Sequence, residues 1–352
     1  MKKYGLLGRK LLHSLSPEIH RELGNSRYDL FQLEPNELDE FFKNRDFAGI
    51  NVTFPYKKDV MKYCDVITES AKKIGSVDTI VVDSDGKLIG DNSEYFGFCF
   101  MINKCGIDVS GKTVLIFGTG SDSLTVQAVT KDLGAKKIIT VSRQEIEESE
   151  DFYNHDEVDI IINTTANGMY PNNGSSAVKL DSFPRCEAVL DVIYNPLRTE
   201  LIMQALERGI SCSGGLYMLV AQAAQSAKYF CSAEIDKEEI ERVFRSLALD
   251  VQNIVLVGMP GCGKTTVAAA LEGLTGRKSV DTDSLVEEAA GMSVPDIFSE
   301  YGEAHFRELE AQAIRSTAKE KGLIIATGGG AVLNPENVRA LKGNGRIYYL
   351  KR

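Results

Sequence analysis

The sequence contains no tryptophan, and its 352 residues include only four histidines and seven cysteines. No two cysteines form a Cys-X-X-Cys pair and the histidines show no metal-ligand spacing, so a zinc site is not expected. An odd number of scattered cysteines, without a signal peptide at the start, is typical of proteins in a reducing compartment. We therefore expect a cytoplasmic protein.

The chain also lacks a long apolar run and an excess of positive charge. No segment approaches the roughly 20 apolar residues that span a membrane. Its 40 basic and 50 acidic residues give a net charge of −10, which argues against a nucleic-acid or anionic-membrane partner. The composition, 43% hydrophobic and 26% charged, is globular, and the length favours two or three domains.

The pattern of apolar segments predicts an α/β protein. Residues 1–100 alternate short strands, such as "FAGINVT" and "DTIVV", with short helical segments. Over residues 101–231, continuous apolar stretches such as "KTVLIFGTG" and "VDIIINTT" indicate strands buried on both faces of a parallel, doubly wound sheet. A charged amphipathic helix lies within 232–249, and "NIVLVG" then opens a third α/β series over 252–352.

The stretch "VLIFGTGSDS" predicts a dinucleotide-binding turn between a strand and a helix. Gly118 and Gly120 let the backbone approach a pyrophosphate, which is held at the positive N-terminal end of the helix. Ser123 replaces the third glycine of the fingerprint, and Asp122 puts a negative charge near the expected phosphates. The motif by itself also fits an ordinary strand–helix turn.

The strand that follows indicates which dinucleotide is bound. NAD sites place an acidic residue at its end to bind the ribose hydroxyl, whereas "ITVSRQ" offers Ser142 and Arg143. An arginine suits a 2′-phosphate, so the sequence favours NADP. A surface arginine without this role is the alternative.

The stretch "GMPGCGKTT" predicts a second, different nucleotide site. It lies between a strand and a helix, the context in which such a loop cradles the phosphates of ATP and its hydroxyl side chain binds Mg²⁺. The predicted ATP-binding residues are Gly258, Gly261, Gly263, Lys264, Thr265 and Thr266.

Two motifs near the start have ordinary explanations when each is taken alone. In "HSLSP", Ser16 fits a helix N-cap, and Lys57 in "NVTFPYK" fits a solvated surface charge. Together with "GDNSEYFGF", "INTTANGMYP", "DVIYNPLRT" and "GGLYMLVAQA", however, these stretches occur in the order seen in shikimate dehydrogenases. The chain resembles that family over about residues 1–250.

The resemblance implies a substrate domain over 1–100, completed by the helix within 232–249, and a Rossmann-like NADP domain over 101–231. Lys57 would move the hydroxyl proton, its pKa lowered towards neutrality by partial desolvation. The residues implied to hold the substrate are Ser14, Ser16, Thr53, Tyr194 and Gln222.

Two departures from the family pattern fall at the implied site. Asp78 in "SVDT" stands where the family usually has asparagine in the substrate site, and Glu94 in "NSE" stands where it has a catalytic aspartate. Asp78 lacks the amide donor and adds a negative charge, and Glu94 is one methylene longer. We expect these changes to slow the dehydrogenase.

The segment 252–352 resembles shikimate kinase through "VDTDSLVEE", "GEAHFRELEAQAI" and "IIATGGGAVL". The resemblance implies that Asp281 holds Mg²⁺ through water and that Asp283 contacts the reacting hydroxyl. Arg307 would bind the substrate carboxylate and Glu310 would orient Arg307; a helix-surface ion pair is the alternative for this arginine. The glycines implied to line the pocket are Gly328, Gly329 and Gly330.

In shikimate kinases a lid, a further substrate-binding arginine and the adenine-contacting segment follow the strand that corresponds to "GRIYYLKR". The resemblance therefore implies a P-loop kinase domain without its C-terminal part. We expect phosphorylation by the 352-residue chain to be near background.

Three hypotheses for the whole chain follow. Both activities are encoded, with shikimate and 3-dehydroshikimate as substrates; only the dehydrogenase works; or the chain is a ligand-binding module with degraded sites. The sequence leaves homo-oligomerisation open.

Arg143→Ala should weaken NADP binding far more than NAD binding, because it removes the charge expected to pair with the 2′-phosphate. Dissociation constants of the two cofactors, measured by titration of parent and variant, test this. Equal kcat/KM for NADP and NAD in the parent would contradict it.

Overall fold

The structure is a computed structural model that describes residues 3–11, 14–25, 27–142, 155–171, 173–231 and 234–351. These residues form three separate β-sheets with helices between the strands. Within the described ranges, no helix is both long enough and apolar enough to cross a membrane.

The first sheet is mixed. Its strands are β1 (Tyr4–Gly8), β2 (Tyr28–Gln32), β3 (Gly49–Val52), β4 (Val66–Ile67), β5 (Thr79–Val82) and β6 (Leu88–Asp91), and its helices are α1 (Ser16–Glu22), α2 (Leu38–Asn44) and α3 (Glu69–Ile74). The order is β2-β1-β3-β5-β6-β4, with β5 antiparallel to both neighbours. Leu7, Ile50 and Ile80 are fully buried in one core, which fixes the end of β3 where "TFPYK" begins.

The second sheet is parallel throughout, as the continuous apolar strands predict. It contains β7 (Thr113–Phe117), β8 (Lys137–Val141), β9 (Ile160–Asn163), β10 (Ala188–Asp191) and β11 (Ser211–Ser213) in the order β11-β10-β9-β7-β8. Its helices are α4 (Ser93–Lys104), α5 (Ser121–Asp132), α6 (Glu200–Glu207) and α7 (Leu216–Cys231). The strand order reverses at β7, so the glycine turn after β7 lies at the switch point where such sheets bind ligands.

The third sheet is also parallel and follows α8 (Lys237–Val251). It contains β12 (Asn253–Val257), β13 (Ser279–Asp281), β14 (Ile324–Ala326) and β15 (Gly345–Tyr349) in the order β13-β14-β12-β15. Its helices are α9 (Lys264–Thr275), α10 (Thr282–Ala290), α11 (Val294–Thr317) and α12 (Pro335–Asn344). The central strand β12 leads directly into the predicted phosphate loop and α9. The α/β class predicted for all three series is confirmed.

The chain divides into two compact units. The first comprises Met1–Ala166, Ala177–Tyr194 and Gln204–Arg245, and the second comprises Asn167–Ser176, Asn195–Met203 and Ser246–Arg352. The sequence pattern predicts that 167–176 and 195–203 belong to the central domain and that the last domain begins at 252. The structure groups these segments differently.

Hydrogen bonds between residues far apart in the sequence explain this grouping. Arg198 donates to the carbonyl oxygens of Lys342 at 2.8 Å and Gly345 at 2.6 Å. Arg339 on α12 holds both carboxylate oxygens of Glu200 at 2.5 and 2.6 Å. Sequence periodicity carries no information about such long-range pairs.

Helix α8 is anchored in the first unit through Arg242. Its guanidinium donates to the Glu22 carboxylate at 2.7 Å and to the Glu22 carbonyl oxygen at 2.9 Å. Glu22 ends α1, so this part of α8 lies against the first domain.

Candidate active site

The turn after β3 presents Lys57 to the interior. The Thr53 amide donates to the Leu7 carbonyl at 2.9 Å, and the Tyr56 amide donates to the Thr53 carbonyl at 3.0 Å. Tyr56 is fully buried, and its hydroxyl donates to the Leu33 carbonyl at 2.6 Å. The turn is therefore held at both ends, and Lys57 is only 5% exposed.

The Lys57 ammonium lies between two carboxylates. It donates to Glu94 Oε1, in the first turn of α4, and to Asp122 Oδ1 at 2.7 Å, in the first turn of α5. Burial by itself lowers the pKa of this lysine, but the charges of Asp122, Glu94 and Asp78 outweigh burial and raise the pKa. The expected lowering of the Lys57 pKa is therefore wrong for this arrangement.

Asp78 directs its carboxylate at the N-terminus of α4. Oδ1 accepts hydrogen bonds from the Ser93 amide at 2.7 Å, the Ser93 hydroxyl at 2.9 Å and the Thr79 hydroxyl at 2.7 Å. Oδ2 accepts from the Glu94 amide at 2.8 Å. A carboxylate supplies both acceptors, whereas an asparagine amide supplies one. The departure from asparagine therefore has a local structural reason, and its effect on substrate binding stays a prediction.

Glu94 is buried with one oxygen on Lys57. Its other oxygen, Oε2, has no hydrogen-bond partner among the described residues. Burial raises the pKa of Glu94 to about 8; the Lys57 charge opposes this rise, and the neighbouring charges of Asp122 and Asp78 add to it. The buried Glu94 carboxyl therefore keeps its proton to a higher pH than a free glutamate does.

The remaining predicted substrate residues lie on elements of the same unit. Ser14 and Ser16 are half-buried beside the start of α1, and their hydroxyls are 3.1 Å apart. Burial raises the pKa of Tyr194, and the charge of Glu18 on α1 adds to the rise. Gln222 on α7 packs against α4, where a Cβ at Gly97 would meet Gln222 Cβ at 3.0 Å.

Asn51 organises a buried polar network that the sequence analysis did not identify. Its Oδ1 accepts hydrogen bonds from the Tyr28 hydroxyl at 2.7 Å and the Ser226 hydroxyl at 3.3 Å, and it lies 3.2 Å from His20 Nε2. Its Nδ2 donates to the Thr79 hydroxyl at 3.1 Å. The network joins α1, β2, β3, β5 and α7. A polar residue within the apolar strand "GINV" is the signal that could have found it.

The turn after β7 has the geometry expected of a phosphate site. Gly118 has φ +113°, and a Cβ there would meet the Thr164 hydroxyl oxygen at 2.4 Å. A Cβ at Gly120 would meet nothing within 4 Å, and α5 begins after Gly120 without a side-chain cap. Its first amide groups are therefore available to an anion.

Two of the other three residues predicted to bind the dinucleotide lie in the described part of the chain. Ser123 lies inside α5, buried, and its hydroxyl accepts a hydrogen bond from the Gln127 amide at 3.0 Å. Ser142 follows β8 and is half-buried. Arg143 lies outside the described residues.

The loop after β12 forms an open cradle. Gly258, Gly261 and Gly263 all have positive φ, and a Cβ at Gly261 or Gly263 would meet nothing within 4 Å. Helix α9 follows without a side-chain cap. The Lys264 ammonium donates to the carbonyl oxygens of Gly258 at 2.9 Å and Met259 at 3.0 Å, so it lies across the loop.

The predicted Mg²⁺ residues meet next to this cradle. The Thr265 hydroxyl donates to Asp281 Oδ2 at 3.0 Å, and Thr266 is exposed in the same turn. No group of three or more His, Cys, Asp or Glu side chains that could hold a metal occurs in the part of the chain that is described. A hydroxyl and one carboxylate suit a cation that also binds phosphate oxygens.

Polar side chains of α10 and α11 meet the loop after β14. Arg307 donates to Glu310 at 2.9 Å and to Glu303 at 3.1 Å, and both carboxylates lie on the same helix as the arginine. A Cβ at Gly328 would meet Asp283 Oδ1 at 2.4 Å and Glu310 Oε1 at 2.7 Å, and both oxygens are buried with no partner among the described residues.

The two glycines that follow Gly328 also make close contacts. A Cβ at Gly330 would meet the Arg307 guanidinium at 2.5 Å, and a Cβ at Gly329 would meet Pro260 at 2.7 Å. The three glycines thus let the backbone pass directly over the Asp283 and Arg307 side chains and the phosphate loop.

Two family models match the chain in different places. The model described as "Shikimate dehydrogenase substrate binding domain" matches residues 6–80, and the model described as "Shikimate kinase" matches residues 260–352. The first match contains Lys57, and the second contains Asp283.

Individual proteins are similar over the first part of the chain. The shikimate dehydrogenase (NADP(+)) of Clostridium perfringens (strain SM101 / Type A) is 35% identical over 269 residues, which is 70% of this chain and 98% of the relative. The crystal structure of shikimate dehydrogenase 1 from Peptoclostridium difficile has 35% identity and a TM-score of 0.62, covering 71% of this chain and 98% of that one. Shikimate 5-dehydrogenase from Thermus thermophilus, solved in complex with NADP(H) and shikimate, has 26% identity and a TM-score of 0.61 over 70% and 99% of the two chains.

Glu94→Gln should flatten the pH dependence of stability between pH 4.5 and about 8. Folding raises the pKa of Glu94. The contribution of this carboxyl group to the free energy of unfolding is therefore fully present below pH 4.5 and is lost as the pH rises through about 8. The parent should lose at least about 1 kcal/mol of unfolding free energy more than the variant over this range. Urea unfolding at a series of pH values measures it.

The control is Glu69→Gln, at a carboxylate whose side chain is 91% exposed. Its pH profile should follow that of the parent. A Glu94→Gln profile that also follows the parent would show that burial does not raise the pKa of Glu94.

Proposed function

Because the chain belongs to the shikimate dehydrogenase family over about its first 250 residues, we propose that this part interconverts 3-dehydroshikimate and shikimate with NADP. The observation that carries the proposal is the buried Lys57 ammonium, held between Glu94 and the first turn of α5. It brings a proton donor next to the turn where a dinucleotide is expected. The Thermus thermophilus relative, solved with NADP(H) and shikimate, supports the assignment.

The residues of the turn fit a dinucleotide. Gly118 and Gly120 leave the backbone bare, and the uncapped amides at the start of α5 suit a pyrophosphate. Ser142 and Arg143 would hold the 2′-phosphate that distinguishes NADP from NAD. The bound nicotinamide would supply the hydride or accept it.

Lys57 is the group that donates the proton in reduction and accepts it in oxidation. In the direction of reduction, a protonated ammonium donates to the substrate oxygen as that oxygen gains negative charge. The surrounding carboxylates raise the pKa of Lys57 and keep it protonated, which favours this direction. In the direction of oxidation the lysine must first lose its proton, so the rate should rise with pH.

Substrate orientation falls to residues around this lysine. Glu94 holds the ammonium, and its second carboxylate oxygen, without a partner among the described residues, suits a substrate hydroxyl. The hydroxyls and amide that would hold the substrate carboxylate and its other hydroxyls are those of Ser14, Ser16, Thr53, Tyr194 and Gln222. Asp78 acts mainly by fixing the first turn of α4, which carries Glu94.

We also propose that the last part of the chain binds ATP with Mg²⁺ and transfers a phosphoryl group to the shikimate 3-hydroxyl. The open glycine cradle fits triphosphate oxygens, and Thr265 with Asp281 would hold the cation. The buried oxygens of Asp283 and Glu310 that have no partner among the described residues fit hydroxyl donors, and Arg307 fits a carboxylate. The match of this segment to the shikimate kinase model supports the assignment.

The two proposed reactions are consecutive, because the product of the first is the substrate of the second. This accounts for two nucleotide sites of different kinds in one chain. The expected low phosphorylation by the 352-residue chain, self-association and the binding-module alternative stay predictions.

Lys57→Ala should lower kcat of shikimate oxidation by at least about 10²-fold, the usual contribution of a positioned acid–base group. Lys57→Arg keeps the positive charge between the carboxylates but cannot release a proton, so it should be similarly slow. NADPH formation measures both, with circular dichroism to check folding.

Lys58→Ala is the matched control, since the neighbouring lysine is exposed. It should keep the parent rate. A loss of less than about threefold in a folded Lys57→Arg protein would overturn the assignment of Lys57 as the acid–base group.

Lys264→Met should weaken binding of Mg²⁺-ATP at least about 10-fold, because the lysine contacts the β and γ phosphates in loops of this kind. Calorimetric titration measures it, and NADPH binding should be unchanged. Lys278→Met, at an exposed lysine near the same sheet, is the control. Equal ATP affinity in the two variants would contradict a nucleotide site at this loop.

A further inference from the structure

Asp122 is an unusual residue at the start of α5. It lies in the first turn of a helix whose uncapped N-terminus faces the expected pyrophosphate, where a negative charge opposes an anionic ligand. Its side chain is nevertheless only partly exposed to solvent. Oδ1 accepts a hydrogen bond from the Lys57 ammonium at 2.7 Å.

The groups around Lys57 differ in origin and exposure. Glu94 comes from α4 with its side chain 8% exposed, and Asp78 precedes β5 and is bonded to the start of α4. Asp122 comes from α5 with its side chain 38% exposed. Of these three carboxylates, Asp122 is the one that reaches Lys57 from the dinucleotide turn and is also open to solvent.

On the basis of the proposed dehydrogenase function, we propose that Asp122 is a positioning residue that holds Lys57 next to the dinucleotide turn. Its negative charge at the same time lowers the affinity of the turn for the cofactor. With the turn empty, the carboxylate helps to hold the ammonium in place. A dinucleotide phosphate at the same helix end brings a second negative charge near Asp122. Cofactor binding and the state of Lys57 are thereby coupled through one side chain.

The direction of the coupling follows from charge. The Asp122 carboxylate raises the pKa of Lys57, so removing this charge lets the lysine lose its proton at lower pH. Removing it also takes a repulsive charge away from the phosphates, so the cofactor should bind more tightly. Because a partly exposed ion pair contributes little to stability, cofactor affinity and the Lys57 titration are the quantities that test the coupling.

The test compares Asp122→Asn with Asp132→Asn. Both remove one negative charge from α5, but Asp132 ends the helix and pairs with Lys73 and the Tyr95 hydroxyl. NADPH dissociation constants come from fluorescence titration, and kcat/KM for shikimate oxidation is measured as a function of pH. A third measurement needs no turnover: titration of the Lys57 Cε resonance by NMR, assigned with Lys57→Arg.

For Asp122→Asn we expect NADPH binding at least about threefold tighter than in the parent, the scale of one charge near a helix end. The pH at which kcat/KM rises to half its maximum should fall by about one unit or more, and so should the midpoint of the Lys57 titration. Asp132→Asn should leave all three at the parent values.

Two outcomes would overturn the inference. One is an Asp122→Asn protein that matches Asp132→Asn in both NADPH affinity and Lys57 titration, and the other is tighter NADPH binding with an unchanged Lys57 titration. If the parent protein does not oxidise shikimate, the proposed function is wrong. The NMR titration of Lys57 and the NADPH dissociation constants still decide whether Asp122 couples the turn to Lys57.

Discussion

The first unit is organised around one buried ammonium and the carboxylates that neutralise it. Lys57 has too little exposure to be hydrated, so its charge must be met by protein groups. Those groups come from three places in the chain: the residue before β5, the first turn of α4 and the first turn of α5. The lysine thereby joins the first sheet to the second through charge–charge interactions within a single cluster.

Backbone geometry is similar at the two predicted nucleotide sites. Each site follows a central parallel strand, passes through glycines and enters a helix that has no side-chain cap. Uncapped amides are costly unless water or an anion satisfies them, which makes these helix ends receptive to phosphate. The sites differ in their charged side chains. The first has the acidic Asp122 directed at Lys57, and the second has Lys264 lying across the loop.

Departures from a family pattern have different meanings once their contacts are known. Asp78 stands where the resemblance implies an asparagine, and its carboxylate accepts hydrogen bonds from three donors at the start of α4 and from the Thr79 hydroxyl on β5. Glu94 is longer than aspartate and still reaches Lys57, with one oxygen left without a partner among the described residues. From the sequence alone, both residues are expected to slow the dehydrogenase. The hydrogen bonds of Asp78 show that its carboxylate also has a structural role at the start of α4.

The sequence by itself determined the local features of this protein: the strands, the parallel second sheet, the third α/β series, the two glycine loops and the motifs that carry Lys57 and Asp283. These follow from apolar periodicity and from glycine positions, which depend on near neighbours in the chain. Only the tertiary structure decided that Asp122 pairs with Lys57, that Asn51 gathers a buried network, and that Arg198 and Glu200 group with the last sheet. It also reversed the expected direction of the Lys57 pKa shift. Each of these depends on charges and hydrogen bonds between residues distant in the sequence, and a pattern of nearest neighbours does not encode which distant groups the fold brings together.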